Sequence, residues 1–124
     1  KDYNMLFLVN LMNVNKPNEH IITTNYENQI RINNLKNLRY YFFDFQNECK
    51  NDNYDKIDSF ITSLESVFNI FKFYSEDVNT GEVHKEQVGV IRTNCLDCLD
   101  RTNVIQTRIA WRILELQVNY FLIS

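Results

Sequence analysis

The chain has 124 residues, a formal net charge of -3 and 44% hydrophobic residues, which is enough apolar material for one hydrophobic core. The acidic balance argues against a nucleic-acid-binding protein, because such proteins need a basic surface to pair with phosphates. No apolar run reaches the ~18 residues of a membrane-spanning helix, so we expect a soluble chain without a transmembrane segment.

The two ends of the chain indicate an excerpt of a longer protein. The chain begins at Lys1 without a methionine, and it ends at Ser124 directly after an apolar stretch. A domain usually closes with polar residues or a turn. We therefore expect residues 1–124 to be part of one domain that is truncated at both ends.

The first third of the chain predicts a strand, a polar turn and a helix. Residues 5–12 form an apolar run of strand length, and residues 13–19, which hold the only proline, Pro17, are typical of a turn. Apolar side chains recur at helical spacing over residues 24–37. We expect the first helix there.

An aromatic run over residues 39–45 predicts a second buried strand, because aromatic side chains favour a pleated surface. The strand would deliver Asp44, Glu48 and Cys49 into a loop. The carboxylates of Asp44 and Glu48 could face a ligand pocket, or they could be solvated in the loop or cap a helix. The sequence does not favour either alternative. Cys49 is expected to be buried and unreactive.

The second half of the chain predicts a helix, a turn, a strand and a final helix. Apolar residues recur every three or four positions over residues 57–68, which indicates one amphipathic helix. Residues 79–81 end in a glycine and indicate either a hairpin or an irregular connection around a glycine turn. Residues 88–91 predict a short buried strand, and residues 101–119 a helix. The expected apolar face of that last helix comprises Ile105, Ile109, Ile113 and Leu116, opposite Arg108, Arg112, Glu115 and Asn119.

The chemistry of the chain concentrates in the loop between this strand and the last helix. Five residues lie between Cys95 and Arg101, and Thr102 follows. A helix N-terminus and a nearby guanidinium lower the pKa of a cysteine, which makes it a nucleophilic thiolate. The guanidinium matches two phosphate oxygens, and a lysine could not reproduce that fork. The spacing therefore predicts a cysteine-dependent phosphatase.

The backbone between the cysteine and the arginine is expected to bind the phosphate. Its N–H groups can point inward at a tetrahedral dianion, as in other anion sites at helix starts. The predicted phosphate-binding residues are Leu96, Asp97, Cys98, Leu99, Asp100 and Arg101.

The remaining roles in this loop stay open between alternatives. Asp100 and Asp97 are both candidates for the acid that protonates the leaving group, with Asp100 preferred. Thr102 either hydrogen-bonds the sulfur or caps the helix. Asn94 and Asn103 flank the loop and are expected to fix its ends through side-chain to backbone hydrogen bonds.

The Cys95-x-x-Cys98 pair alone would suggest a redox pair or half of a zinc site. The sequence has no second pair of this spacing, and neither role explains the arginine and the threonine. Cys98 is expected to pack beneath the loop, with a disulfide to Cys95 under oxidation as the alternative. Three cysteines, an odd number, favour a reducing compartment over a small secreted framework.

Residues 92–103 read RTNCLDCLDRTN, which resembles the signature R-x-N-C-x-D-C-L-D-R-T-N of Sac-domain phosphoinositide phosphatases at every fixed position. Residues 41–49 resemble the family's upstream segment Phe-Asp-Phe-x-x-Glu-Cys, and residues 8–11 lie where the family has a similar strand. The resemblance covers essentially the whole chain.

The resemblance implies a metal-independent lipid phosphatase without a cofactor, which removes the 4- or 3-phosphate from phosphatidylinositol phosphates. Cys95 and Arg101 take the family's nucleophile and phosphate-binding positions. The implied substrate lies at a membrane surface, on the cytoplasmic face of the endoplasmic reticulum or the Golgi. The alternatives are an inactive Sac-like module that binds phosphoinositides or proteins, and a cysteine phosphatase that acts on phosphoproteins or soluble inositol phosphates.

The expected fold is α/β, with a mixed sheet flanked by helices and the signature loop between a strand and a helix. The predicted strands alternate with helices, which favours parallel pairing. Ligands of such sheets bind at the carboxyl ends of the strands.

Overall fold

A computed structural model describes residues 3–13, 15–49, 54–95 and 99–123. Within these ranges the strands are β1 (Met5–Asn10), β2 (Leu38–Phe42), β3 (Ser75–Glu76), β4 (Val83–Lys85) and β5 (Gly89–Asn94). The helices in the same ranges are α1 (Pro17–Asn33), α2 (Phe45–Glu48), α3 (Asp55–Ser63), α4 (Glu65–Phe71) and α5 (Leu99–Ile123).

The central sheet has three strands in the order β2-β1-β5, and both strand pairs are parallel. Asn10 is in register with Phe42 on one side and Asn94 on the other, so all three strands end at the same edge. β3 and β4 form a separate antiparallel hairpin, and Gly81 in its turn has a φ of 74°. The predicted α/β class, the parallel pairing and the hairpin are confirmed.

The two faces of β1 contact different helices, because successive side chains of a strand point to opposite sides. Phe7, Val9 and Leu11 belong to the main hydrophobic core with α3, α4 and α5. Asn10 points the other way and donates from Nδ2 to Thr23 Oγ1 of α1, at 3.1 Å. The sheet therefore lies between α1 and the other long helices.

Helix α5 packs on the core through the predicted apolar face. Ile105 is fully buried, and Ile109, Ile113 and Leu116 pack against the core. Arg108 and Arg112 on its polar side bind Asp58 of α3 and Glu65, the first residue of α4. Neither α5, with 25 residues, nor any other helix among the described residues is apolar enough to cross a membrane.

Helix α1 begins at Pro17, and the predictions of a turn over residues 13–19 and of a helix start at residue 24 are wrong. A proline is well suited to the first helical position, where its missing N–H has no helical partner to lose. The two buried residues of this helix are Glu19 and Thr23. Because the buried positions are polar, a search for apolar periodicity does not detect the first turns.

Three further predictions differ from the structure. Residues 45–48 form the short helix α2, although a loop was expected there. The side chain of Asp44 caps this helix by accepting a hydrogen bond from the backbone N–H of Asn47. The single helix predicted over residues 57–68 is two helices, α3 and α4, which are divided at Leu64. The apolar spacing continues across this break and therefore conceals it. Strand β5 extends to Asn94, three residues beyond the predicted strand.

Candidate active site

The predicted reactive residues lie where the first turns of α1 and α5 meet the carboxyl edge of the sheet. β5 ends at Asn94, directly before Cys95, and α5 begins at Leu99. The backbone N–H of Leu11, just after β1, donates to the carbonyl of Asn94 at 2.9 Å and holds the two strand ends together. Parallel sheets bind their ligands at this edge, and helix N-termini favour anions there.

Cys95 lies against Thr102 of α5. Their Sγ and Oγ1 atoms are 2.8 Å apart, and both residues are half-buried. Helix α5 begins three residues before Thr102, so this threonine lies inside the first turn and not at the N-cap. Of the two contacts that the sequence left open for Thr102, the structure has the one with the sulfur.

The sulfur of Cys95 is disulfide-bonded in this structure. A disulfide sulfur carries no hydrogen, so the hydroxyl of Thr102 is the donor in their contact. Nucleophilic chemistry at Cys95 needs the thiolate. Any activity that depends on this residue therefore has to be measured with a thiol reductant present.

Arg101 is buried, with 4% of its surface exposed, and its guanidinium binds groups at the start of α1 and the end of β1. Nη1 donates to the carbonyl oxygen of Leu11 at 2.9 Å and to Oε1 of Glu19 at 3.1 Å. Glu19 has 2% of its surface exposed and also accepts a hydrogen bond from the backbone N–H of Asn13. The signature arginine is therefore one half of a buried ion pair.

A polar network connects the strand ends beneath the site. Asn10 is fully buried, and its Oδ1 accepts from the backbone N–H of Met12 and from Nδ2 of Asn94, at 3.0 and 3.4 Å. Its Nδ2 donates to Thr23 and to the hydroxyl of Tyr40. Asn94 thus bonds to another side chain, whereas a backbone partner was expected. Its Oδ1 is buried and has no hydrogen-bond partner within the described part of the chain.

Tyr40 is held in its neutral form by its surroundings. Burial is the main reason that its pKa lies above the usual value, and its hydrogen bond to Glu27 raises the pKa further. The hydroxyl donates to Oε2 of Glu27 at 2.6 Å. It therefore bridges the buried Asn10 to a carboxylate on α1.

The structure describes some of the other predicted site residues, whereas the rest lie outside the described residues. Asp100 and Asn103 are exposed in the first turns of α5. Leu99 is the first residue of that helix. Leu96, Asp97 and Cys98 lie outside the described residues, so their predicted contribution to the phosphate-binding backbone stays a prediction.

The other titratable candidates lie away from this edge or have structural partners. Asp44 caps α2 and Glu48 is exposed. Cys49 is a buried free cysteine, as predicted, and burial raises the pKa of its thiol. Among the described residues, no group of three or more histidine, cysteine, aspartate and glutamate side chains forms a potential metal site.

Sequence reasoning did not find Glu19 or Asn10. Glu19 has one local signal, an acidic residue in the first turn after Pro17, but that pattern usually indicates a solvated helix start. Its partner Arg101 lies 82 residues further along the chain. A single sequence does not reveal a pair at that separation.

We expect Thr102→Val to lower kcat of any Cys95-dependent reaction about 10- to 100-fold, because a hydrogen bond to a charged group contributes about 1.5–3 kcal/mol. Valine has the shape of threonine without the hydroxyl. Thr102→Ser, which keeps the hydroxyl, is the matched control and is expected to keep most of the rate. Steady-state kinetics on reduced protein test this, and equal rates for Thr102→Val and the wild type would contradict it.

The described residues define a parallel α/β protein in which a cysteine follows strand β5, at the edge of the sheet where ligands of such proteins bind. No family model matches the chain. Individual relatives do match it. The Saccharomyces cerevisiae protein "Phosphatidylinositol-3-phosphatase SAC1" is 37% identical over 114 residues, which cover 88% of this chain and 18% of the relative.

Two further relatives come from an animal and a plant. The Danio rerio "Phosphatidylinositide phosphatase SAC2" is 34% identical over 116 residues, 94% of this chain and 10% of the relative. The Arabidopsis thaliana "Phosphoinositide phosphatase SAC6" is 38% identical over 81 residues, 65% of this chain and 14% of the relative. The chain belongs to the Sac-domain phosphoinositide phosphatase family, and it spans less than a fifth of the length of these relatives.

Proposed function

We propose that the protein containing this chain is a phosphoinositide phosphatase that uses Cys95 as its nucleophile. The observation that supports the proposal most directly is the position of Cys95 and Thr102, in contact at 2.8 Å where β5 passes into α5. A nucleophile at this edge faces the positive end of a 25-residue helix. Relatives named as phosphoinositide phosphatases support the class of substrate.

In the first step, the thiolate of Cys95 attacks the phosphorus of a phosphate monoester. The S–P bond forms, the bond from phosphorus to the inositol oxygen breaks, and the leaving oxygen takes a proton from a carboxylic acid. Asp100, exposed beside Arg101, and Asp97 remain the candidates for this acid. Arg101 balances the charge of the phosphoryl oxygens.

In the second step, water attacks the phosphorus of the phosphocysteine. The S–P bond breaks, inorganic phosphate leaves, and the thiolate of Cys95 is regenerated. The carboxylate that acted as the acid accepts the proton from water. One difficult displacement is thereby divided into two easier ones, and neither needs a metal ion or a cofactor.

The proposed substrate is a phosphatidylinositol phosphate with its monoester at the 4- or 3-position, bound at a membrane surface. The names of the relatives include a phosphatidylinositol 3-phosphatase, which supports the 3-position as one alternative. The cytoplasmic face of the endoplasmic reticulum or the Golgi remains the predicted location.

The test measures phosphate release by the intact, reduced protein in the presence of a metal chelator. The substrates are phosphatidylinositol 3-phosphate and 4-phosphate in phosphatidylcholine vesicles, a tyrosine-phosphorylated peptide and soluble inositol phosphates. We expect turnover of a lipid substrate and a protein adduct with the mass of one phosphoryl group after rapid acid quenching.

Each alternative function gives a different result in this test. Turnover of only the peptide or only the soluble inositol phosphates would replace the proposed substrate with that class. Vesicle binding without any phosphate release would show a non-catalytic module and would contradict the proposed function.

A further inference from the structure

The buried carboxylate of Glu19 contacts the signature arginine from a different helix. Glu19 lies in the first turn of α1, and Arg101 lies in the first turn of α5. Their side chains are 3% and 5% exposed, and Oε1 of the carboxylate is 3.1 Å from Nη1 of the guanidinium. The predicted reaction assigns no role to this carboxylate.

The position of Arg101 makes a carboxylate partner necessary. The first turn of α5 is the positive end of the helix, which disfavours a cation there. Burial of a guanidinium without a partner is more unfavourable still. Glu19 compensates the charge and itself lies at the positive end of α1, where a carboxylate is stabilised.

The hydrogen bonds of Nη1 fix how the guanidinium is oriented. This nitrogen carries two hydrogens, and it donates to both Leu11 and Glu19. The direction from which the guanidinium can meet a phosphate is therefore set by groups of α1 and of the end of β1. Glu19 is in turn held by the backbone N–H of Asn13 at 3.1 Å.

We propose that Glu19 is a positioning residue that orients the guanidinium of Arg101 for binding the substrate phosphate. This inference rests on the proposed phosphatase function. Glu19 does not touch the substrate, and its effect on the reaction passes through Arg101.

The test compares Glu19→Gln with the wild type in the intact, reduced protein, on phosphatidylinositol 4-phosphate and 3-phosphate in phosphatidylcholine vesicles. We expect kcat/KM to fall about 10- to 100-fold, since a misplacement of about 1 Å at a reacting group has an effect of that size. We also expect KM to rise, because a displaced guanidinium binds the phosphate group less well.

The change in KM separates this role from a structural one. A substitution that only reduces the fraction of folded protein lowers the apparent kcat and leaves KM unchanged. That result, or a folded Glu19→Gln protein with kcat/KM within about twofold of wild type, would overturn the proposal. Circular dichroism establishes which fraction is folded.

A control variant and a conservative variant complete the experiment. Glu65→Gln removes the carboxylate of another arginine pair on α5, with Arg112, and is expected to leave KM unchanged. Glu19→Asp keeps the charge on a shorter side chain, and we expect a smaller loss of about threefold in kcat/KM with a raised KM. If Glu19→Gln does not fold, Glu19→Asp decides the question, and an unchanged KM would overturn the proposal.

A separate measurement distinguishes failure of this inference from failure of the proposed function. If the wild type releases no phosphate from any lipid, the affinity for inorganic phosphate replaces KM as the readout. A dissociation constant that rises about tenfold in Glu19→Gln supports the positioning role without turnover, and an unchanged one contradicts it.

Discussion

Cys95→Ser is expected to reduce phosphate release from phosphoinositides at least about 1,000-fold, since loss of the nucleophile of a hydrolase has an effect of that size or larger. A serine hydroxyl is not ionised at neutral pH, whereas a thiol at a helix N-terminus is readily converted to the thiolate. Steady-state release of inorganic phosphate by the intact, reduced protein measures the effect. The same variant should form no phosphoryl adduct on acid quenching.

Cys49→Ala is the matched control for this substitution. Cys49 is a buried free cysteine whose pKa is raised by burial, so it is poorly suited to nucleophilic chemistry. The variant removes one sulfur from the hydrophobic core and is expected to keep kcat per folded molecule within about twofold. Equal rates for Cys95→Ser and the wild type would exclude Cys95 as the nucleophile.

The state of Cys95 determines how this experiment is performed. Its sulfur is disulfide-bonded in the structure, and a disulfide is not a nucleophile. We therefore expect the untreated wild type to gain activity on addition of a thiol reductant. The Cys95→Ser protein should remain inactive under both conditions, which separates loss of the nucleophile from oxidation.

The central sheet could be predicted because its strands are short apolar or aromatic runs. Strand β1 falls within the range predicted for it, β2 begins at Leu38, one residue before its predicted range, and β5 begins one residue later than predicted. The parallel pairing of these strands was predicted from their alternation with helices along the chain. The apolar face of α5 was also predicted, because four residues at helical spacing pack on the core.

The first turns of α1 were not predictable in the same way. Its buried positions are Glu19 and Thr23, which contribute nothing to a hydrophobic pattern. They are buried because they bind Arg101 and Asn10, which belong to distant parts of the chain. Polar burial of this kind depends on tertiary contacts, and local propensity does not encode it.

The candidate site likewise has features that local sequence predicts and others that depend on tertiary contacts. The strand before Cys95 and the helix that carries Arg101 and Thr102 follow from local sequence, and so does their position at the edge of the sheet where ligands bind. The direction of the guanidinium of Arg101 does not follow from local sequence. It depends on a carboxylate from α1 and a carbonyl oxygen from the end of β1, which the fold brings together.

The buried ion pair of Arg101, together with its proposed role in phosphate binding, predicts different effects for two substitutions. Arg101→Ala leaves the buried carboxylate of Glu19 with only the exposed Lys16 as a charge partner, Nζ to Oε2 at 3.9 Å, and is expected to reduce the free energy of unfolding by about 3–5 kcal/mol. Arg101→Lys keeps a positive charge within reach of Glu19, so its effect on stability should be smaller. Urea unfolding of both variants measures the difference.

In catalysis, Arg101→Lys is expected to lower kcat/KM about 100- to 1,000-fold, the size of effect seen when one preorganised donor to a developing oxyanion is lost. An ammonium group is a point charge and does not offer two parallel N–H groups to two phosphate oxygens. The variant should therefore be folded and nearly inactive. This combination separates the fork geometry of the arginine from its charge.

Arg112→Lys provides the matched control on the same helix. Arg112 also pairs with a carboxylate, here through two nitrogens, from Nε and Nη2 to the two oxygens of Glu65 at 2.6 and 3.3 Å. That pair is partly exposed and joins α5 to α4. Arg112 lies in the middle of α5, whereas Cys95 precedes the helix. We expect Arg112→Lys to keep kcat/KM within about twofold. If Arg101→Lys behaved in the same way, the charge of residue 101 would suffice for phosphate binding, and the planar fork of the guanidinium would have no part in catalysis.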